Sequence, residues 1–200
     1  MALRLKHGIF IHFPKTGGVW AKGVLERLGL VVEPLLRPHS SLNEVLRERP
    51  ELAGQRSFAF VRHPFSLYQS FWAFRYANGW DTRNPLDACR AATFQEFIGN
   101  VVDRCPGHLS AHLREMTEGV TYIGRFEALR ESMIHILSTL GEDFSSEDVY
   151  NHPSENVSPR GPEIDGRYTP NLLERLYRAE REAFRAFGYD REVGAPIAHE

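Results

Sequence analysis

The chain has 200 residues, 42% hydrophobic and 25% charged, and we predict a single domain over residues 1–200. The formal net charge of -2 gives no global basic field, which argues against extended nucleic-acid binding. Cys89 and Cys105 are too few for a secreted disulfide framework and favour reduced thiols in a cytoplasmic protein, although one disulfide also fits the sequence. The N-terminal apolar run is broken by His12 and Pro14, so we expect no signal or membrane segment.

Residues 8–20 predict a strand, a glycine-containing loop and the start of a helix. The apolar run ends at Pro14 and is followed by Lys15, Thr16 and the pair Gly17-Gly18. Glycines allow backbone N–H groups to turn towards an anion, a helix N-terminus carries partial positive charge, and lysine adds a full charge. We call this loop the anion cradle. Its lysine precedes the glycines, unlike the lysine of a Walker A loop, which disfavours an ordinary P-loop kinase or GTPase.

The cradle resembles the 5′-phosphosulfate loop of sulfotransferases that use 3′-phosphoadenylyl sulfate (PAPS), whose usual form is Pro-Lys-Thr-Gly-Gly/Thr-Thr-Ser/Trp. Val19 departs from that form, because the position commonly holds a threonine whose hydroxyl touches phosphate. A turn without a ligand is the alternative reading of the motif. The resemblance implies that the PAPS-binding residues include Pro14, Lys15, Thr16, Gly17, Gly18, Val19 and Trp20.

Helical spacing predicts a helix over residues 18–28 that ends at Gly29, followed by a short strand at residues 30–32 and a loop. Ser41 and Glu44 form a capping-box pattern for the next helix, which ends before Pro50. The loop before that helix contains His39, so we expect this histidine at a fixed helix entrance.

A second buried strand, residues 57–61, runs into Arg62-His63-Pro64 and a long aromatic helix over residues 65–76. Ser70 follows Arg62 by eight residues. This arrangement resembles the 3′-phosphate motif of the same sulfotransferases, Arg-Asn/His-Pro followed by a serine. The resemblance implies that Arg62 and Ser70 bind the 3′-phosphate of PAPS.

The remaining elements are a loop at 79–92, a helix at 94–102, a helical or irregular stretch at 103–118 and a strand at 120–124 that leads into a helix. His108 and His112 have helical spacing that suits zinc, but no HExxH pattern or cysteine cluster accompanies them, so we expect no metal.

The C-terminal part begins with a polar loop over residues 141–167, followed by a helix over residues 170–187 whose Arg/Glu run we interpret as a solvated face. In the sulfotransferases a loop near this position covers the nucleotide, often through an Arg-Gly pair. The resemblance therefore adds Arg160 and Gly161 to the expected cofactor-binding residues.

Alternating strands and helices predict an α/β fold, a three-layer sandwich with a central, mostly parallel sheet flanked by helices. Ligands of such sheets bind beyond the carboxyl ends of the strands, where both anion motifs fall. The resemblance implies the P-loop-like sulfotransferase fold, closer to the carbohydrate-type and bacterial members with Pro-Lys-Thr-Gly-Gly.

The predicted function is transfer of a sulfuryl group from PAPS to an acceptor hydroxyl by in-line displacement, which releases the bisphosphate PAP. Lys15 is the expected group that neutralises the leaving phosphate. His39 is our first candidate for the general base and His12 the second, since histidine titrates near neutral pH. A small-molecule or carbohydrate hydroxyl is the expected acceptor, and the sequence identifies no particular compound. The alternatives are a kinase-like phosphotransferase and a non-catalytic PAP-binding or nucleotide-binding module.

Overall fold

A computed structural model describes residues 2–81, 84–155 and 166–191. They divide into two compact units, the first containing residues 2–62 and 113–155 and the second the remaining described residues. The prediction of one domain over residues 1–200 stays a prediction. No helix in the described part of the chain is long and apolar enough to cross a membrane.

The described residues contain one five-stranded sheet, all of it in the first unit. Its strands are β1 (Ala2–Leu5), β2 (Ile9–Ile11), β3 (Val31–Leu35), β4 (Ser57–Val61) and β5 (Tyr122–Arg125). Their spatial order is β3-β1-β2-β4-β5. The strands predicted near residues 9, 31, 57 and 120 are thereby confirmed, whereas β1 was missed.

The sheet is mixed, which corrects the expectation of a mostly parallel sheet. Strand β1 pairs antiparallel with both β2 and β3, while β2 with β4 and β4 with β5 pair parallel. A tight turn, in which the amide of Leu5 donates to the carbonyl of Gly8 at 2.8 Å, reverses the chain between β1 and β2. Such a short connection permits only antiparallel pairing. Strand β1 is therefore opposite in direction to the other four strands.

The described α-helices follow in chain order: α1 (Gly18–Arg27), α2 (Leu42–Glu48), α3 (Pro64–Asn78), α4 (Phe94–Arg104), α5 (His108–Thr117), α6 (Leu129–Leu140), α7 (Ser146–Asn151), α8 (Pro170–Ala179) and α9 (Arg181–Ala186). The capping box predicted for α2 is present, since the Ser41 side chain accepts from the Glu44 amide and the Glu44 carboxylate accepts from the Ser41 amide. Helix α7 lies inside the stretch predicted to be a loop.

The core of the first unit joins one face of the sheet to helices α1 and α6. Three phenylalanines of the sheet pack together there, and the rings of Phe10 and Phe58 lie 5.2 Å apart. Apolar side chains at helical spacing complete the cluster, which contains Leu3, Leu5, Phe10, Trp20, Ala21, Val24, Leu25, Phe58, Phe60, Met133, Ile136, Leu137, Leu140 and Val149. Burial of these side chains fixes α1 and its cradle against the sheet.

The predicted C-terminal helix is broken at Glu180, between α8 and α9. Glu180 is fully buried in the second unit, so the prediction that the whole Arg/Glu run is a solvated face is wrong at this residue. Its carboxylate accepts from the Tyr68 hydroxyl at 2.7 Å and from the Ser110 amide and hydroxyl at 2.8 and 2.7 Å. The α5 N-terminus thus receives an anion, which helix N-termini favour.

Aromatic side chains of α3 also belong to the core of the second unit. Phe71 and Trp72 are buried, and the Trp72 ring lies 5.6 Å from that of Phe97 on α4. Tyr76 on the same helix is exposed. Core packing, which helical spacing indicated for most of these aromatics, is confirmed for Phe71 and Trp72.

Candidate functional site

Three candidate site residues and one phenylalanine follow the carboxyl ends of strands that run in one direction. Because β1 is antiparallel to both of its neighbours, β3 has the same direction as β2, and the parallel pairings extend this direction to β4 and β5. Lys15 follows β2, His39 follows β3, Arg62 follows β4 and Phe126 follows β5. All four therefore start from one edge of the sheet in the first unit, the usual ligand-binding edge of such sheets.

The cradle is a tight turn closed by its own side chain. The Thr16 hydroxyl, which is buried, donates to the Phe13 carbonyl at 2.9 Å. Lys15 and Gly17 have positive φ angles of 64° and 82°, and α1 begins at the next residue, Gly18. Since the first N–H groups of a helix have no partner inside it, this turn brings N–H donors beside the lysine.

Both glycines of the cradle are also closely packed by neighbouring side chains. A Cβ atom on Gly17 would lie 2.6 Å from Leu129 Cδ2 and 3.1 Å from Phe126 Cδ2. A Cβ atom on Gly18 would lie 1.8 Å from His12 Cδ2. The sequence indicated these glycines for their backbone freedom, and the structure adds that a Cβ atom at either position would overlap a neighbouring side chain.

Arg62 contacts the cradle directly. Its Nη1 donates to the Lys15 carbonyl at 3.1 Å, and its Cζ lies 4.0 Å from the centroid of the Phe126 ring. The two basic residues that the sequence assigned to separate anion motifs are thus adjacent, one through its side chain and the other through its backbone. A cation–π contact of this kind attracts the guanidinium to the face of the ring.

His39 is exposed and has a positive φ of 63°, a conformation that is uncommon for histidine. Its Nδ1 lies 3.2 Å from the His12 carbonyl oxygen. Since a carbonyl only accepts, Nδ1 carries the hydrogen of this bond, and the lone pair of the neutral ring is on Nε2. This is the tautomer that a base acting through Nε2 requires.

His12 is half-buried, and its ring packs against Gly18, with the His39 ring 4.7 Å away. Burial, with a smaller effect of the adjacent His39, lowers the pKa of His12 to about 3. His12 is therefore neutral over the ordinary working range of pH.

The last two residues of the cradle motif differ in exposure. The Val19 side chain is 42% exposed at the first turn of α1, whereas Trp20 is only 4% exposed and belongs to the core cluster. The Trp20 ring lies 6.0 Å from that of His152, and the Arg130 guanidinium lies 5.6 Å from the Trp20 ring. A cofactor-binding role for Trp20 remains a prediction.

Ser70 and His63 lie in the second unit, and both are buried. His63 caps α3: its Nδ1 accepts from the Phe65 amide at 3.3 Å, so Nε2 donates to the Asp190 carbonyl at 2.9 Å. This explains why a histidine suits the position after Arg62. The contact of Ser70 with a 3′-phosphate is untested, and Arg160 and Gly161 lie outside the described residues.

A metal site finds no support in the described ranges, which contain no group of three or more histidine, cysteine, aspartate or glutamate residues suited to hold an ion. The rings of His108 and His112 stack at 6.2 Å. Burial, followed by the effect of His112, lowers the pKa of His108. Among the described residues, His108 and His112 are therefore neighbours on one helix but do not belong to a group large enough to suit a metal ion.

Sequence reasoning missed Phe126, which contacts both Arg62 and the position of Gly17. The available signal was position: Phe126 directly follows β5, just as Arg62 directly follows β4. Two parallel strands that end side by side bring the residues after them together.

Comparison with known proteins adds a likeness of fold. No protein-family model matches the sequence, and no curated protein matches it. Among solved structures, the crystal structure of mouse sulfotransferase SULT7A1 complexed with PAP is similar, with a TM-score of 0.52 and 14% sequence identity. The match covers 88% of this chain and 82% of that chain. The protein thus has a sulfotransferase-like fold.

Proposed function

We propose that this protein is a PAPS-dependent sulfotransferase that transfers a sulfuryl group to an acceptor hydroxyl. The observation that carries the proposal is the contact between Arg62 and the carbonyl of Lys15, at the carboxyl edge of the sheet. A ligand with phosphate groups at both ends of one nucleoside suits two adjacent basic anchors. The fold, which is similar to that of a PAP-bound sulfotransferase, supports the same assignment.

In this reaction the acceptor oxygen attacks sulfur, the S–O bond to the 5′-phosphate breaks, and PAP leaves. Negative charge grows on the phosphate oxygen as that bond breaks. Lys15 and the N–H groups at the start of α1 neutralise this charge in the proposed mechanism. Arg62 binds the 3′-phosphate, and the sequence resemblance adds Ser70, Val19, Trp20, Arg160 and Gly161 as further nucleotide-binding residues.

The acceptor hydroxyl loses its proton to a base, and we assign this step to Nε2 of His39. The bond from Nδ1 to the His12 carbonyl supports the assignment, because it holds the ring in the required tautomer. His12 remains the second candidate. Its side chain is partly buried and packed on Gly18, which makes it a poorer partner for an incoming acceptor.

The proposal is tested by PAP calorimetry and by ³⁵S transfer from PAPS to a panel of carbohydrate, phenol, lipid and natural-product hydroxyls. We expect Lys15→Ala to lower turnover by about a hundredfold or more, the effect of losing one preorganised donor. Arg62→Ala should weaken PAP binding. Lys22→Ala is the matched control, because Lys22 lies on α1 and pairs with Glu26 at 3.3 Å, away from the cradle turn.

Each alternative function has its own outcome in this experiment. Phosphate transfer from Mg²⁺-ATP, with none from PAPS, would establish a kinase. Tight PAP binding without ³⁵S transfer to any acceptor would favour a non-catalytic binding module, which the valine at position 19 also fits. Near-normal transfer by Lys15→Ala would reject the catalytic assignment of that residue.

A further inference from the structure

Phe126 touches both anion motifs. Its ring lies 4.0 Å from the Arg62 guanidinium carbon. On the cradle side, Phe126 Cδ2 would be 3.1 Å from a Cβ atom added to Gly17. The ring therefore packs against the loop proposed to hold the 5′-phosphosulfate and against the side chain proposed to hold the 3′-phosphate.

The register of the sheet explains this arrangement. Val61 on β4 is the partner of Arg125 on β5, so the next residues along the two parallel strands are Arg62 and Phe126. Adjacent strands lie about 4.8 Å apart, which suits a guanidinium stacked on a ring. The contact is thus built into the strand pairing.

We propose that Phe126 is a positioning residue that holds Arg62 against the Lys15 carbonyl and so couples the two nucleotide anchors. This inference rests on the proposed function and deepens it. Phe126 acts through Arg62, and its phenyl ring has no polar atom with which to bind phosphate.

The physical reason is the flexibility of arginine. A guanidinium on a long side chain loses considerable rotamer freedom when it binds an anion, and a side chain already held in place loses less. The Phe126 ring attracts the guanidinium without accepting a conventional hydrogen bond from it. The hydrogen bond from Nη1 to the Lys15 carbonyl holds the guanidinium of Arg62 from a second side.

Phe126→Leu removes the ring while keeping an apolar side chain beside Gly17. Phe126→Met also removes the ring, and its longer side chain provides a second variant should the leucine variant unfold. We expect each to raise the Kd for PAP about tenfold, within the range of a partly desolvated cation–π contact. Phe126→Tyr keeps the ring and should bind PAP within about twofold of the wild type. Phe144→Leu is the control, since Phe144 is a half-buried ring of the same unit that packs on the core cluster.

A double-mutant cycle distinguishes positioning from a general structural effect. If Phe126 acts through Arg62, Phe126→Leu will have no further effect on PAP affinity in an Arg62→Ala background. An undiminished effect in that background would overturn the proposal, as would a Phe126→Leu protein that binds PAP as tightly as the wild type.

A separate readout covers the case in which the wild type does not bind PAP. That result would reject the proposed function, and NMR of the Arg62 Nε–H group would then test Phe126 alone. Loss of the ring-current shift in Phe126→Leu, with retention in Phe126→Tyr, would support the positioning role. An Arg62 resonance that is the same in all three proteins would rule it out.

Discussion

His39 and His12 are two adjacent imidazoles with different surroundings. His39 is exposed and bonded through Nδ1 to a backbone carbonyl. The His12 ring packs against Gly18, and burial lowers the pKa of His12 to about 3, so this histidine is neutral at ordinary pH. Only His39 has both an accessible ring and the tautomer that a base needs. The bond that orients it goes to the His12 backbone, so it does not depend on the His12 side chain.

We predict that His39→Asn lowers the sulfuryl-transfer rate by about a hundredfold or more and abolishes the acidic limb of the pH–rate profile. Asparagine is chosen because it tolerates positive φ. A base must be neutral, so the wild-type rate falls as pH decreases and the imidazole gains a proton. The measurement is a pH–rate profile at saturating PAPS.

His12→Asn is the control for this profile. Because the pKa of His12 is about 3, its protonation lies below the measured range, and the variant should keep the acidic limb. The base would have to be sought elsewhere if the acidic limb survived in His39→Asn.

At the scale of elements, the connection between β2 and α1 determines the geometry of the cradle. The Thr16 hydroxyl closes the turn, and the His12 ring lies where a side chain on Gly18 would be. The helix therefore begins in contact with the strand that precedes it. Such an approach is possible only for a residue without a Cβ atom.

Gly18→Ala should destabilise the protein by about 1–3 kcal/mol, because its Cβ atom would overlap the His12 ring. The measurement is urea unfolding followed by circular dichroism. The sign of the change in the free energy of unfolding is informative, because alanine in a helix is otherwise favoured over glycine by about 1 kcal/mol.

Gly99→Ala provides the matched comparison. Gly99 lies in α4, and a Cβ atom there would meet nothing within 4 Å. We expect this variant to be more stable than the wild type by about 0.5–1 kcal/mol. Equal effects of the two substitutions would contradict the steric explanation for Gly18.

At the scale of the whole molecule, the second unit joins segments that are distant in the chain. The Tyr168 hydroxyl, which is fully buried, donates to the Phe65 carbonyl at 2.8 Å, and Glu180 accepts from Tyr68 and from the first turn of α5. Burial raises the pKa of Tyr68 well above its usual value, and the adjacent Glu180 carboxylate adds to the increase. These contacts connect the C-terminal helices to α3 and α5.

Glu180→Gln should lower the free energy of unfolding by about 3 kcal/mol, since it places an amide donor among groups that donate to the carboxylate. Thermal unfolding monitored by near-ultraviolet circular dichroism measures this, because the second unit is rich in aromatic rings. Glu182→Gln, at an exposed position on α9, should change stability by less than about 0.5 kcal/mol. A Glu180→Gln protein as stable as Glu182→Gln would show that the buried network contributes little.

The sequence by itself determined the features that depend on neighbouring residues. The apolar runs gave β2 and β4, helical spacing gave α1 and α6, and the serine–glutamate pattern gave the cap of α2. The sequence also indicated the strand-to-helix turn of the cradle and the position of Arg62 at the end of β4, because a strand, a short loop and a helix follow one another within a few residues. Local patterns are sufficient for such features, since hydrophobic periodicity and capping act over single turns.

The tertiary structure alone decided the features that depend on pairing between distant segments. The direction of β1, the neutral state of His12, the burial of Glu180 and the stacking of Phe126 on Arg62 each require a partner far away in the chain or the exclusion of water by the assembled core. A charged residue in a polar run is normally predicted to be exposed to solvent. The neighbouring residues do not indicate which carboxylate will lie at the N-terminus of a distant helix. For the same reason the sequence did not indicate Phe126, because its contact with Arg62 arises only when β4 and β5 pair in register.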